Sequence, residues 1–189
     1  MPPIPLMVFA GALGATGVMR LVELVVSTRR VRARPDALVP EPGLFAAMAA
    51  LHAGLVFAPL AEVLLLQRDF VPWVAAVAGG SLLVATALRV WTLRTIGRAW
   101  NVKVVTPTAG DIVTSGPYGY VRHPNYAVVI LEIAALPMLH CAWLSALGLS
   151  ALNAVVLYHR IRTEEAALSQ IPAWREAMRD RKRLIPGIF

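Results

Sequence analysis

The feature that most constrains this chain is a series of long apolar blocks. Residues 4–26, 44–66 and 71–93 are each 23 residues long, and the ionisable side chains in them are few: Arg20, Glu23, His52, Glu62 and Arg89. A helix that crosses the hydrocarbon core of a bilayer, ~30 Å thick, needs ~20 mostly apolar residues. The three blocks therefore predict three membrane-spanning helices, and a soluble bundle with an apolar core is the weaker interpretation.

A fourth apolar block, residues 126–157, contains a single carboxylate, Glu132. It is too long for one ordinary span and short for two, and Pro137, His140 and Cys141 lie in its middle. We expect a helical hairpin of residues 127–139 and 142–157, with each arm shorter than a full span; one long kinked helix is the alternative.

The predicted fold is therefore all-α: an integral membrane bundle of about five transmembrane helices, with a C-terminal helical hairpin and a cytoplasmic tail helix. We expect a single domain over residues 1–189. Residues 1–93 would form the three N-terminal spans, and residues 94–189 the connector, hairpin and tail.

The basic residues indicate how the chain lies in the membrane. Of 18 Lys and Arg residues, 15 lie in three segments: after the first span (including Arg34), after the third span, and in the tail. By the positive-inside rule these segments face the cytoplasm, so we expect the N-terminus outside and the C-terminus inside a bacterial inner membrane. This distribution explains the net charge of +7 without a nucleic-acid partner.

Several other classes of protein are disfavoured by composition. Only 15% of the residues are charged, against ~25% in a typical soluble domain. One cysteine and four scattered histidines predict neither a disulfide framework nor a metal site. The chain starts without the basic segment of a signal peptide, so we expect the first span to be retained.

A polar cluster at residues 114–126 precedes the hairpin and lies on the expected cytoplasmic side. It holds three tyrosines, one Arg and one His, and Gly116 followed by Pro117 predicts a turn. Pro124 suits the first turn of a helix. The tyrosines fit an interfacial belt, but His123 beside free helical N–H groups is a candidate binder of anions or carboxylates.

A second polar cluster, residues 158–165, follows the hairpin. Arg160 and Glu164 are four residues apart and would share a helix face, which could equally be a solvated one. Arg160 and Arg162 lie about 200° apart on an ideal helix, and the sequence leaves open which of them faces a pocket.

Ionisable residues inside the spans are costly in lipid unless they are paired or face inward. Arg20 and Glu23 can pair with each other at a spacing of three residues. Glu132 can face a cofactor cavity or pair with Arg20 or Arg89.

Residues 113–126, VTSGPYGYVRHPNY, resemble the signature of the isoprenylcysteine carboxyl methyltransferase family, which is related to membrane phospholipid methyltransferases. Residues 160–165 resemble the family's C-terminal glutamate motif, and residues 183–189 its closing segment. Arg20, Glu23 and His52 are similar to a bacterial branch found with type III polyketide synthases. Residues 171–174, IPAW, depart from the usual glycine-and-aromatic stretch.

The resemblance implies an S-adenosylmethionine-dependent methyltransferase, with S-adenosylhomocysteine as product. The chain has no Gly-x-Gly-x-x-Gly, so the soluble Rossmann mode of cofactor binding is not expected. The residues that match cofactor-binding positions of the family are Ile112, Val113, Tyr118, His123, Pro124, Tyr126 and Glu164. Arg160 matches the position that faces the acceptor, and Arg160 and Glu164 are the expected catalytic residues.

The leading interpretation is O-methylation of a lipophilic small molecule, such as a long-chain alkyl phenol, quinol or pyrone. A carboxylate acceptor is already ionised near pH 7, whereas a phenol of pKa ~10 needs help, and Glu164 could accept its proton. Isoprenylcysteine carboxyl methylation and phospholipid N-methylation are alternatives within the same chemistry. A non-catalytic membrane transporter subunit is the alternative from a different class.

Overall fold

The computed structural model describes residues 4–33, 43–105 and 112–187; residues 1–3, 34–42 (with Arg34), 106–111 and 188–189 lie outside it. The described residues form six α-helices and contain no β-strand, which confirms the all-α prediction. The α-helices are α1 (Ile4–Arg32), α2 (Leu44–Leu66), α3 (Pro72–Ile96), α4 (Pro124–Met138), α5 (Trp143–Leu168) and α6 (Pro172–Met178).

Four of these helices, α1, α2, α3 and α5, are long and apolar enough to cross a membrane, and α4 is a shorter apolar helix of 15 residues. Their outward faces carry large apolar side chains; Leu65 is 79% exposed and Leu83 is 73% exposed. Such faces are unfavourable in water and suit contact with lipid. The chain is a multi-pass membrane protein.

The predicted hairpin is confirmed, with one correction. α4 and α5 are joined by residues 139–142, where Cys141 adopts a left-handed φ of 55°. The N–H of Ala142 donates to the carbonyl of Pro137 at 3.0 Å and closes the turn. The expectation that both arms are shorter than a span is wrong for α5, whose 26 residues continue as helix through the polar segment after Leu157.

The apolar core lies where α1, α2, α4 and α5 meet, and α3 packs mainly against α4. Phe9 and Leu13 of α1 contact this core together with Leu55 of α2 and Ile133 of α4, all of them almost fully buried. A buried Leu or Phe contributes about 1.5–3 kcal/mol relative to an exposed one in water. In lipid, where that term is weak, close packing holds the helices together.

Four charged side chains of α1, α3 and α4 form a buried ion cluster, which consists of Arg20, Glu23, Arg89 and Glu132. The guanidinium of Arg89 donates to both carboxylate oxygens of Glu132, at 2.9 and 2.6 Å, and to Glu23 at 2.6 Å. Arg20 donates to Glu23 at 2.8 Å and also to Glu132. Glu132 therefore pairs with both arginines. The formal charge of the cluster is zero, and this pairing lowers the energetic cost of burying the four side chains.

Glu62 of α2 binds the beginning of α5 at the other end of the bundle. Its carboxylate accepts from the main-chain N–H groups of Leu144 and Ser145, at 3.1 and 2.7 Å, and from the Ser145 hydroxyl. Arg68 completes its partners at 3.0 Å. A carboxylate from a neighbouring helix thus satisfies N–H groups that a helix start leaves without partners.

Candidate active site

A cavity of about 590 Å³ lies between residues 113–126 and the ends of the membrane helices. Its walls come from α1, α2, the segment after α3, residues 112–126, α5 and α6. This volume is in the ~300–1,000 Å³ range of sites that enclose small molecules.

Residues 113–126, called the signature segment below, enter the cavity wall through a tight turn. Gly116 has φ 54°, and a Cβ there would lie 2.6 Å from Oγ1 of Thr95 on α3, so only glycine fits. The following 3-10 turn, Gly116–Gly119, carries Tyr118 into the wall. Burial, with the negative charge of Glu164 as a second cause, raises the pKa of Tyr118, which keeps this side chain a neutral phenol.

A hydrogen-bonded chain joins the two predicted motifs. The Tyr126 hydroxyl, in the first turn of α4, donates to the carboxylate of Glu164 on α5. Nε of Arg160 donates to the same hydroxyl at 2.9 Å, and another nitrogen of its guanidinium donates to the carbonyl of Val102. Arg160 and Glu164 therefore share a helix face, as predicted, and Tyr126 bridges them.

His123 lies directly before α4 and is 4% exposed. Its ring stacks on that of Tyr126, with centroids 5.2 Å apart and planes 22° from parallel. Nε2 lies 3.3 Å from a carboxylate oxygen of Glu165. The imidazole is thus held by Glu165, while the neighbouring carboxylate of Glu164 lines the cavity.

The tail closes over the signature segment. The N–H groups of Arg122 and His123 donate to the carbonyls of Lys182 and Arg183, at 2.8 and 2.9 Å, around an isolated parallel bridge. Arg183 also pairs with Glu165 at 2.7 Å, and this hydrogen bond raises the pKa of Arg183. The backbone on either side of His123 is therefore fixed by residues 60 positions downstream.

Most of the predicted site residues lie in the wall of this one cavity: Ile112, Val113, Tyr118, His123, Tyr126, Arg160 and Glu164. Pro124 does not line it; it is fully buried as the first residue of α4. Of the two arginines, Arg160 lines the cavity, whereas Nη1 of Arg162 donates to the exposed Tyr158 hydroxyl at 2.6 Å.

Other residues in the wall were not predicted as site residues. In the described part of the chain, Oδ1 of Asn101, Asn125 and Asn153 is buried without a hydrogen-bond partner, and all three residues line the cavity. Asn153 was detectable in principle, since a polar side chain within a membrane span is costly and suggests a function. Trp174, in the segment that departs from the family pattern, also lines the cavity, and the guanidinium of Arg122 stacks over its ring at 5.7 Å.

Comparison with known proteins agrees with this arrangement. Residues 76–170 match the model of the isoprenylcysteine carboxyl methyltransferase (ICMT) family, a stretch that contains the signature segment, the hairpin and the glutamate motif. The chain belongs to the ICMT family. Over 120 residues it is also 38% identical to the uncharacterized protein YpbQ of Bacillus subtilis (strain 168), an alignment that covers 64% of this chain and 71% of YpbQ.

ICMT-family membership indicates a membrane methyltransferase, and members of the family use S-adenosylmethionine. The matched stretch includes most of α3, all of α4 and α5, and most of the cavity-lining residues named above. The N-terminal spans α1 and α2 and the tail helix α6, which supply the rest of the wall, lie outside it.

Proposed function

We propose that this protein transfers a methyl group from S-adenosylmethionine to an oxygen of a lipophilic small molecule. One observation carries the proposal: His123 and Glu164, from two separate motifs, line a single cavity together with Tyr126 and Arg160. The proposed enzyme is one domain over residues 1–189, because both halves of the chain contribute walls to that cavity.

The cavity offers partners for the functional groups of the cofactor. Its amino group and ribose hydroxyls need acceptors, and Glu164 with the unpartnered Oδ1 atoms of Asn101 and Asn125 supplies them. The aromatic faces of Tyr118 and Tyr126 suit an adenine ring or a sulfonium. Ile112 and Val113 add apolar contact beside the signature turn.

The bound cofactor supplies an activated methyl group, so the protein mainly has to align it with an electron-rich acceptor. Arg160 is the residue that we assign to binding that acceptor. Its guanidinium, buried and oriented by the Tyr126 hydroxyl, can stabilise the negative charge of a phenolate, enolate or carboxylate. Glu164, with the Tyr126 hydroxyl already donating to it, is assigned to the cofactor side.

The acceptor is proposed to be lipophilic because most of the remaining wall is apolar and lies within the spans, apart from Arg20, Glu23 and His52. This part consists of residues of α1 and α2 such as Leu21, Leu24, Ala53, Val56 and Phe57. An acceptor with a hydrocarbon tail can occupy this side, while the cofactor enters from the polar side. We place that polar side in the cytoplasm, in line with the distribution of basic residues.

Calorimetry in detergent tests the cofactor site. Wild type should bind S-adenosylmethionine, and His123→Ala and Glu164→Ala should each weaken binding at least about tenfold, since each removes a polar side chain of the cavity wall. Arg162→Ala is the matched control and should bind like wild type, because Arg162 points away from the cavity. Equal binding by all four proteins would contradict the site, and no binding by wild type would contradict the methyltransferase proposal.

The acceptor class is tested by incubating the wild-type protein with labelled cofactor and a total lipid extract. Mass spectrometry should find the label on an oxygen of a lipophilic molecule. A product methylated on the nitrogen of phosphatidylethanolamine would overturn the choice of oxygen.

A further inference from the structure

His52 is the one histidine of α2, and it lies in the cavity wall rather than against lipid. It is the eighth residue after the start of the helix, so it sits about 12 Å along the helix axis at 1.5 Å per residue. The cofactor site described above does not use it. An imidazole in an otherwise apolar helix face therefore calls for a separate role.

The hydrogen bonding of His52 defines the state of its ring. Nδ1 lies 2.8 Å from the main-chain carbonyl of Met48, one turn earlier on α2. A carbonyl oxygen only accepts hydrogen bonds, so Nδ1 carries a proton and donates. In the neutral imidazole Nε2 then keeps a lone pair, and no hydrogen bond of Nε2 is found within residues 4–33, 43–105 and 112–187. Such a ring is oriented and ready to accept a proton.

Two contacts fix the register of α2 against α5 and show what lies beside His52. Nη1 of Arg160 contacts Sδ of Met48 at 2.9 Å, and farther into the bundle a Cβ on Gly54 would lie 3.2 Å from Leu149. The two helices are thus antiparallel. On α2, His52 lies between Met48 and Gly54, and on α5, Asn153 lies between the residues that these two contact.

Asn153 is 2% exposed, and its Oδ1 has no partner among the described residues, although it belongs to the same cavity wall. A buried amide oxygen without a partner costs about 1–3 kcal/mol, and a ligand hydroxyl would satisfy it. His52 and Asn153 therefore form a polar level of the cavity wall, a wall that Arg20 and Glu23 of the ion cluster also line. An acceptor that binds beside His52 and Asn153 therefore has a polar group of its own facing these two side chains.

We propose that His52 is the general base of the reaction and that the acceptor is a hydroxyl compound, a phenol or enol, rather than a carboxylate. The acceptor O–H bond breaks and its proton goes to Nε2 of His52. The oxygen forms the new bond to the methyl carbon of the sulfonium donor, whose C–S bond breaks with the electron pair remaining on sulfur. This inference rests on the proposed function and narrows its acceptor to hydroxyl groups that need deprotonation.

Two acceptors with the same tail test the role of His52: 4-nonylphenol, protonated at about pH 8.5, and 4-nonyl-2,6-difluorophenol, mostly ionised there. His52→Gln keeps a polar side chain of similar reach but removes the base. We expect the variant to lose about 100-fold or more in kcat with the first acceptor and less than about fivefold with the second. His159→Gln, a change at an exposed histidine of α5, should match wild type with both.

Nitrogen-15 NMR of histidine-labelled protein provides a readout that does not depend on turnover. The resonances that disappear in His52→Gln should report Nδ1–H and an unprotonated Nε2 in the wild-type protein. Calorimetry should give His52→Gln the same affinity for S-adenosylmethionine as wild type.

The outcomes separate the two proposals. Equal losses of kcat with both phenols, a weakened cofactor affinity or a proton on Nε2 would each overturn the role of His52 and leave the cofactor site standing. Cofactor binding by wild type without methylation of either phenol would overturn the hydroxyl class of acceptor. Failure of wild type to bind the cofactor would remove the proposed function itself.

Discussion

At the residue scale, Gly116 has the least freedom to change in the signature segment. Its φ of 54° is left-handed, and Oγ1 and Cγ2 of Thr95 lie 2.6 and 3.0 Å from where a Cβ would be. Backbone strain and the clash would have to be relieved by moving the turn that carries Tyr118. A side chain at position 116 would therefore change both the stability of the loop and the shape of the cavity.

Gly116→Ala should lower the free energy of unfolding by about 1–3 kcal/mol and weaken cofactor binding, because the turn is displaced from α3. Thermal unfolding in detergent, with and without S-adenosylmethionine, measures both effects. Gly119→Ala is the control, since its added Cβ would find its nearest neighbour, the Thr114 carbonyl, at 3.7 Å. Equal melting temperatures for the two variants would contradict the steric argument.

Site residues that belong to a local motif could be predicted from the sequence. His123, Tyr126, Arg160 and Glu164 belong to contiguous polar runs and lie in one cavity. His52, by contrast, is a single polar residue in an apolar helix, and its location depends on the register between α2 and α5. That register is set by packing of side chains from distant parts of the chain, which no local pattern encodes.

At the element scale, the position of the hairpin could be predicted because residues 126–157 cannot form one ordinary span. The end of α5 could not, because apolar content marks where a helix leaves the membrane and not where it stops. Residues 158–168 have no breaker, and the helix continues until the segment before Pro172. This continuation brings Arg160 and Glu164 to the cavity.

The ion cluster holds α1, α3 and α4 together, and Glu132 accepts three of its five hydrogen bonds. Glu132→Gln leaves the charges of Arg20 and Arg89 partly uncompensated in a buried site, so we expect a loss of about 3–5 kcal/mol in the free energy of unfolding. Denaturation in mixed micelles measures it.

The double variant Arg89→Met, Glu132→Leu removes one charge of each sign and leaves Arg20 paired with Glu23. It should therefore recover most of the lost stability. A double variant less stable than Glu132→Gln alone would show that the cluster contributes mainly through its hydrogen-bond geometry.

At the scale of the whole molecule, the hairpin turn and the cavity lie at opposite ends of α4. The cavity is near His123 before the helix begins, and Cys141 is in the turn after it ends. The proposed orientation, with the basic segments in the cytoplasm, places this turn on the outer side. The single cysteine of the chain is therefore a natural probe of orientation.

In spheroplasts, a membrane-impermeant maleimide should label Cys141 without permeabilisation, since its side chain is partly exposed. The control is Cys141→Ala combined with Gln170→Cys, which places the thiol at an exposed position after α5 and should react only in opened membranes. The reverse pattern of labelling would mean that the cavity faces outside.

The bridge between the signature segment and residues 182–183 has a consequence for biosynthesis. Residues 182–183 are translated after all of the long apolar helices, and until they are made the backbone around His123 lacks two hydrogen bonds. A chain released prematurely would reach the bilayer with its helices in place and its signature loop unsupported. Maturation of the pocket thus waits for a segment that is translated after every one of these helices.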